Sequence, residues 1–110
     1  MRFKDKCVIV TGAGAGIGRA AALKFAQEGA KVVCNSNNET AQATAQMILQ
    51  HGGDALSVMG DISVEEDVRR VVEQTMQTYG RIDVLVNNAG IVFAGTLENT
   101  AKEAFEKTMD

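Results

Sequence analysis

Thr11-Gly12-Ala13-Gly14-Ala15-Gly16-Ile17-Gly18 follows the apolar run Cys7-Val-Ile-Val10 and leads into a segment with helical period. Placed between a strand and a helix, such glycines serve distinct purposes. One permits the tight turn, another lets the backbone approach a phosphate, and another lets helix and strand lie close together. The phosphates would sit at the helix N-terminus, where unpaired N–H groups and the positive end of the dipole point outward. The P-loop pattern fails because no Lys-Ser or Lys-Thr follows. GxGxxG fails because Ile17 and Arg19 stand where its third glycine is needed. The pattern that fits is TGxxxGxG.

Outward from this loop, four short runs read as strands: Cys7-Val-Ile-Val10, Lys31-Val-Val-Cys34, Ala55-Leu-Ser-Val-Met59 and Ile82-Asp-Val-Leu-Val86. The first, second and fourth are nearly continuous apolar runs, as buried parallel strands are. Helical stripes lie between them. Ile17, Ala21 and Phe25 line the first, opposite Lys24, Gln27 and Glu28; Ala41, Ala45, Ile48 and Leu49 line the second. Val68, Val71, Val72, Thr75, Met76 and Tyr79 line the third, with Ser63 and Glu66 as a capping box at its start. Gly29, Gly52 with Gly53, and Gly80 are the expected helix stops. A loop follows the fourth strand. A fourth helix then starts at Thr100, with Glu103 completing its capping box and Ala101, Ala104, Phe105 and Thr108 on one face. Strand and helix alternate four times, which predicts an α/β fold with a doubly wound, Rossmann-like parallel sheet joined by right-handed crossovers.

The chain has 110 residues, the length of one domain, with 45% apolar and 23% charged residues. Eleven glycines and no proline leave the turns to Gly, Asn, Asp and Ser. A net charge of −3, without any stretch of four or more Lys or Arg, excludes the electrostatic footprint of a nucleic-acid binder. No apolar run reaches the roughly twenty residues of a membrane span. Met1 to Lys6 runs into the first strand without a signal-peptide pattern, so a cytoplasmic location is expected. Cys7 and Cys34 lie in apolar runs without metal or redox spacing and are expected to be buried, reduced thiols.

The sequence resembles the short-chain dehydrogenase/reductase family over its whole length. Thr11-Gly12 with Gly16-Ile17-Gly18 matches that family's cofactor loop, Asp61-Ile62 the pair flanking adenine, and Asn87-Asn88-Ala89-Gly90 the NNAG motif. The compact arrangement is similar to the 3-oxoacyl-carrier-protein reductase branch. The resemblance implies a nicotinamide dinucleotide as cofactor. Gly12, Gly14, Gly16, Ile17 and Gly18 would hold its pyrophosphate, Ser36 and Asn37 its adenosine ribose, Asp61 and Ile62 its adenine, and Asn88, Ala89 and Gly90 its nicotinamide side. Asn87 is given a mainly structural role. At the end of the second strand, where NAD-selective sites usually carry an acid, Asn35-Ser36-Asn37-Asn38 carries none. Nothing there repels a 2′-phosphate, and Ser36, Asn37 and Asn38 can donate to one, so the expectation is NADP or NAD, leaning to NADP. Arg19 is the only nearby cation, read either as a partner for such a phosphate or as facing solvent.

The family's acid/base tyrosine in YxxxK is missing. The only tyrosine, Tyr79, is followed four residues later by Asp83, and is read as packing at a helix end. The family's Ser, Tyr and Lys would fall beyond Asp110, and its relay Asn just beyond. No residue is therefore assigned a catalytic role, and no metal cluster is expected. His51 is read as a solvated or dipole-facing helix-end residue, and Glu65, Glu66 and Asp67 as first-turn acids. These residues are expected to form one Rossmann-type domain that stops short of the catalytic half. The parent would interconvert a carbonyl and an alcohol on a small molecule, as a homotetramer or dimer, and the 110 residues alone would be inactive. The alternative is a non-catalytic nucleotide-binding or regulatory module ending naturally at residue 110.

Overall fold

The computed structural model describes residues 3–87 and the backbone of 90–93. Its strands are β1 (Cys7–Val10), β2 (Lys31–Ser36), β3 (Asp54–Met59), β4 (Val84–Asn87) and β5 (Gly90–Phe93), and its helices are α1 (Gly16–Gln27), α2 (Thr40–Gln50) and α3 (Glu65–Tyr79). They form one sheet in the order β3-β2-β1-β4-β5. β1 pairs parallel with β2 and β4, and β2 with β3, with Val8 opposite both Val32 and Val84.

Alternation along β1 builds two cores. Val8 and Val10 point to one face, where Ala22 of α1 and Ala41, Ala45 and Ile48 of α2 cover them. Cys7 and Ile9 point to the other, against Val68 and Val71 of α3. A sheet covered on both faces explains why its central strands are apolar without interruption. Cys7 and Cys34 are buried free thiols, and burial pushes both up to about 12.

Gly29, Gly52 and Gly80 all have positive φ, as stops should; Gly80 is left-handed, and its N–H closes α3 on the Met76 carbonyl at 2.9 Å. Two predicted stripes shift. Ile17 is 88% exposed, and α1 instead buries Gly18 and Ala22; in α2, Leu49 is 51% exposed while Thr44 is buried with Ala41, Ala45 and Ile48. Small side chains were favoured at both interfaces because the helices lie close to the sheet and to each other. The capping box of α3 does not form: Val64 is its N-cap, with no side-chain cap. Ser63 turns back to Asp61, whose Oδ1 accepts from the Ser63 N–H at 2.9 Å and hydroxyl at 2.7 Å. An Asp two residues upstream offers this closer acceptor.

After β4, where a loop is predicted, Gly90–Phe93 pairs antiparallel with β4, Asn87 opposite Gly90. Only residues 88 and 89 separate the two strands, hairpin spacing, and Ile-Val-Phe has strand composition. The outer edge of β4 is thereby paired. The fourth predicted helix and its Phe105 face lie outside the described residues.

At the opposite end of the sheet from the loops after β1, β2 and β3, Asp83 Oδ2 accepts the Cys7 N–H at 2.8 Å, and the Arg81 guanidinium holds both carboxylate oxygens at 2.7 and 2.8 Å. Burial acts to raise the Asp83 carboxyl, but the Arg81 and Cys7 hydrogen bonds outweigh it and hold it below the usual carboxylate range.

Candidate functional site

The chain runs from β1 outward through β2 to β3 and then crosses back to β4 on the far side of β1. In open α/β sheets such a reversal opens a crevice beyond the carboxyl ends of the strands. Here the loops after β1, β2 and β3 enclose a cleft of about 370 Å³. Its walls are Thr11, Gly12, Gly14 and Ala15 from the first loop, Asn35, Ser36, Asn37 and Thr40 from the second, and Gly60, Asp61 and Ile62 from the third.

The first loop is tightly built. A Cβ on Gly18 would lie 1.9 Å from the Gly12 carbonyl oxygen, and one on Gly14 would lie 1.8 Å from Thr40 Oγ1, so the loop touches α1 on one side and α2 on the other. Gly12 and Gly16 have φ of 63° and 56°, a region costly to side chains. Ala15, the N-cap of α1, offers no side-chain cap, and the first turn carries no acid. The helix therefore presents bare N–H groups and an uncompensated dipole, a combination suited to an anion.

The three loops are tied by backbone and amide bonds. Ala13 N–H donates to the Asn35 carbonyl at 2.8 Å, Gly60 N–H to the Ser36 carbonyl at 2.9 Å, and Thr11 N–H to the Val86 carbonyl at 2.9 Å. The Asn35 side chain, 1% exposed, donates to the carbonyls of Val58 at 3.0 Å and Gly60 at 3.1 Å. Sequence reasoning treats Asn35 only as a missing acid. A polar residue ending an apolar strand was the available signal that it holds β3 to β2.

The second loop carries hydrogen bonds of its own at the residues expected to meet a ribose. Ser36 lines the cleft, yet its hydroxyl donates to the Asn38 carbonyl at 2.5 Å and accepts the Ala41 N–H at 3.1 Å, securing the first turn of α2. Its one proton is used internally, which leaves none for a ribose phosphate. Asn38 uses its oxygen here, Oδ1 accepting from the Thr40 N–H at 3.0 Å and hydroxyl at 2.6 Å, and it does not line the cleft. Asn37 and Thr40 are the exposed polar residues of this loop that line the cleft, and the Thr40 hydroxyl donates to Asn38 Oδ1. Arg19 does not simply face solvent. It is half-buried, with Nη2 donating to the Gly14 carbonyl at 2.6 Å and Nε to Thr44 Oγ1 at 2.9 Å.

In the third loop Asp61 is held below the usual carboxylate range, chiefly by the Ser63 hydroxyl and then by its N–H, so it is ionised at neutral pH. Both bonds fall on Oδ1. Asp61 N–H donates to Asp67 Oδ2 at 2.8 Å, fixing the turn. An ionised carboxylate beside the Ile62 backbone can accept from an exocyclic amine while the amide donates to a ring nitrogen.

Gly12, Gly14, Ser36, Asn37, Asp61 and Ile62 are thus brought together around one cleft. Gly16, Ile17 and Gly18 form the first turn of α1 at its edge, and Ile17 is the most exposed large apolar residue described. Gly90 starts β5, while Asn88 and Ala89 lie outside the described residues. Thr40 and Gly60 are lining residues that sequence reasoning did not single out, and Thr11, quoted only as the first residue of the loop motif, lines the cleft as well. Tyr79 lies at the other end of the sheet, its hydroxyl donating to Asp54 Oδ1 at 2.9 Å with Lys31 Nζ 5.9 Å from its ring. Burial and then that bond raise its pKa, the wrong direction for a base. His51 caps α2, with Nδ1 2.8 Å from the Met47 carbonyl. Among the described residues no group of three or more His, Cys, Asp or Glu could hold a metal, and no helix is long and apolar enough to cross a membrane.

Comparison with known proteins places this geometry in a lineage. The family model described as short chain dehydrogenase matches residues 6–110. An oxidoreductase of Thermotoga maritima is 46% identical over 110 residues, covering 99% of this chain and 43% of that relative. Glucose 1-dehydrogenase of Gluconobacter oxydans is 43% identical over 110 residues, covering 98% and 41%. The crystal structure of a hydroxysteroid dehydrogenase from Escherichia coli superposes with a TM-score of 0.76 at 39% identity, over 78% of this chain and 37% of that one. The chain thus spans less than half the length of these relatives. A glycine loop at the switch point of a 3-2-1-4 sheet, matched over nearly the whole sequence, shows that the chain belongs to the short-chain dehydrogenase/reductase family.

Proposed function

We propose that these 110 residues form the dinucleotide-binding unit of an NAD(P)(H)-dependent oxidoreductase that interconverts a carbonyl and an alcohol. The carrying observation is the cleft itself, with a bare helix N-terminus on one side and an ionised Asp61 on the other. The donor set suits a dinucleotide: N–H groups of the glycine loop and α1 for phosphates, Asn37 for the adenosine ribose, and Asp61 with Ile62 for adenine. Asn88, Ala89 and Gly90 serve the nicotinamide side. Bound nicotinamide supplies the hydride, while the described residues bind and orient it.

The absence of an acid at the end of β2 supports a preference for NADP, with Asn37 as the amide donor available to a 2′-phosphate. Tyr79, the single tyrosine, is occupied at the far edge by Asp54, which supports an assignment of the acid/base step to residues outside these 110. Relatives named for glucose and a hydroxysteroid differ widely in substrate, so the proposal stops at a small-molecule carbonyl or alcohol. In the whole protein a homodimer or homotetramer is expected, and buried free thiols accord with the reducing cytoplasm. Titration of the protein with NADPH and NADH, followed by nicotinamide fluorescence, tests the preference. Tighter NADPH binding is expected; equal or reversed affinities would refute it, and binding of neither would refute the dinucleotide reading.

A further inference from the structure

Two consecutive carbonyls of the glycine loop are held from behind. The Thr44 hydroxyl donates to the Ala13 carbonyl at 2.7 Å, and Arg19 Nη2 donates to the Gly14 carbonyl at 2.6 Å. Arg19 Nε also donates to Thr44 Oγ1 at 2.9 Å, so the two anchors form one unit. Thr44 is 0% exposed, and neither residue lines the cleft.

A trans peptide places its carbonyl oxygen and the following N–H on opposite edges. With the Ala13 and Gly14 carbonyls turned to Thr44 and Arg19, the N–H groups of Gly14 and Ala15 face away from that pair, on the side where both residues line the cleft. Among the described residues neither N–H has a protein acceptor. The same bonds turn two carbonyl dipoles, which would repel an anion, away from the ligand. From this geometry we infer that Arg19 and Thr44 are positioning residues that hold the Gly14 and Ala15 N–H groups toward a phosphate of the bound nucleotide; the inference rests on the dinucleotide reading of the cleft. Arg19 acts through the loop, its Nη2 and Nε donors engaged by the Gly14 carbonyl and Thr44 Oγ1.

The test is calorimetric titration of the full chain and its Thr44→Val and Arg19→Ala variants with ADP and, separately, with adenosine. Thr44→Val carries the weight: it keeps the shape of a buried side chain, changes no charge and removes both bonds. Loss of such anchors is expected to weaken ADP about tenfold while leaving adenosine within about twofold. If Arg19→Ala fails to fold, Arg19→Lys, which keeps one donor, is expected to show an intermediate loss. Equal weakening of ADP and adenosine, or unchanged ADP affinity in a folded Thr44→Val, would overturn the clamp while the nucleotide reading stands. A wild-type chain binding neither ligand would overturn both.

Discussion

Gly18→Ala tests how closely helix and loop must approach for the cleft to exist. The added Cβ would stand 1.9 Å from the Gly12 carbonyl oxygen and 2.6 Å from its carbon, backbone atoms that no rotamer change can move. Real Cβ atoms essentially never come closer than 3.0 Å, so the start of α1 and the glycine loop must separate by about 1 Å or more. Overpacking of this kind costs ~1–3 kcal/mol, against the ~1 kcal/mol that alanine recovers over glycine inside a helix. A net loss of up to about 2 kcal/mol is expected in urea unfolding followed by circular dichroism. Binding should suffer more, since hydrogen bonds weaken sharply once donor and acceptor part by that much. ADP affinity is expected to fall at least about tenfold. Gly80→Ala is the matched control: nothing lies within 4 Å of its added Cβ, but its φ of +75° strains alanine by ~1–2 kcal/mol at the edge away from the cleft. It should lose stability and keep ADP affinity. Unchanged ADP affinity in Gly18→Ala, or an equal loss in Gly80→Ala, would refute the reasoning.

Ser36→Ala removes the acceptor of the Ala41 N–H, and a stability loss of ~0.5–2 kcal/mol is expected, as for helix-cap deletions; an unmoved urea midpoint would contradict it. Asp83 titrates below its unfolded value of about 3.9, so its contribution is complete above that pH and is lost as pH falls through the folded-state value. Asp83→Asn should therefore be less stable than wild type at pH 7 and converge toward it under acid, as urea midpoints at pH 7 and pH 3 would record; a constant gap would contradict the Arg81 pairing.

Much of the fold was legible because it depends on features a sequence displays directly. Continuous β-branched runs marked β1, β2 and β4, and Gly29, Gly52 and Gly80 marked helix ends through the conformation they alone take readily. The glycine loop was legible for the same reason. What escaped depended on size and competition. Counting large apolar residues selected Ile17 and Leu49, whereas close approach selected Gly18, Ala22 and Thr44. Ser63 and Ser36 have hydroxyls that fit a cap or a ligand equally well in sequence, and neighbouring Asp61 and Asn38 decided their use. The role of Arg19 needed α2 beside the loop, a juxtaposition that spacing alone does not give. β5 depended on pairing across the edge of β4, a non-local choice.

The central claim is that the cleft beyond β1, β2 and β3 holds a nicotinamide dinucleotide. Its most direct test is a titration of the ¹⁵N-labelled chain with NADPH, followed through backbone amide shifts. Saturable shifts are predicted for Gly14, Ala15, Ile17, Asn37 and Ile62, with Asp54 and Tyr79 at the opposite edge unmoved. Shifts centred on that opposite edge, or none at saturating NADPH, would contradict the claim.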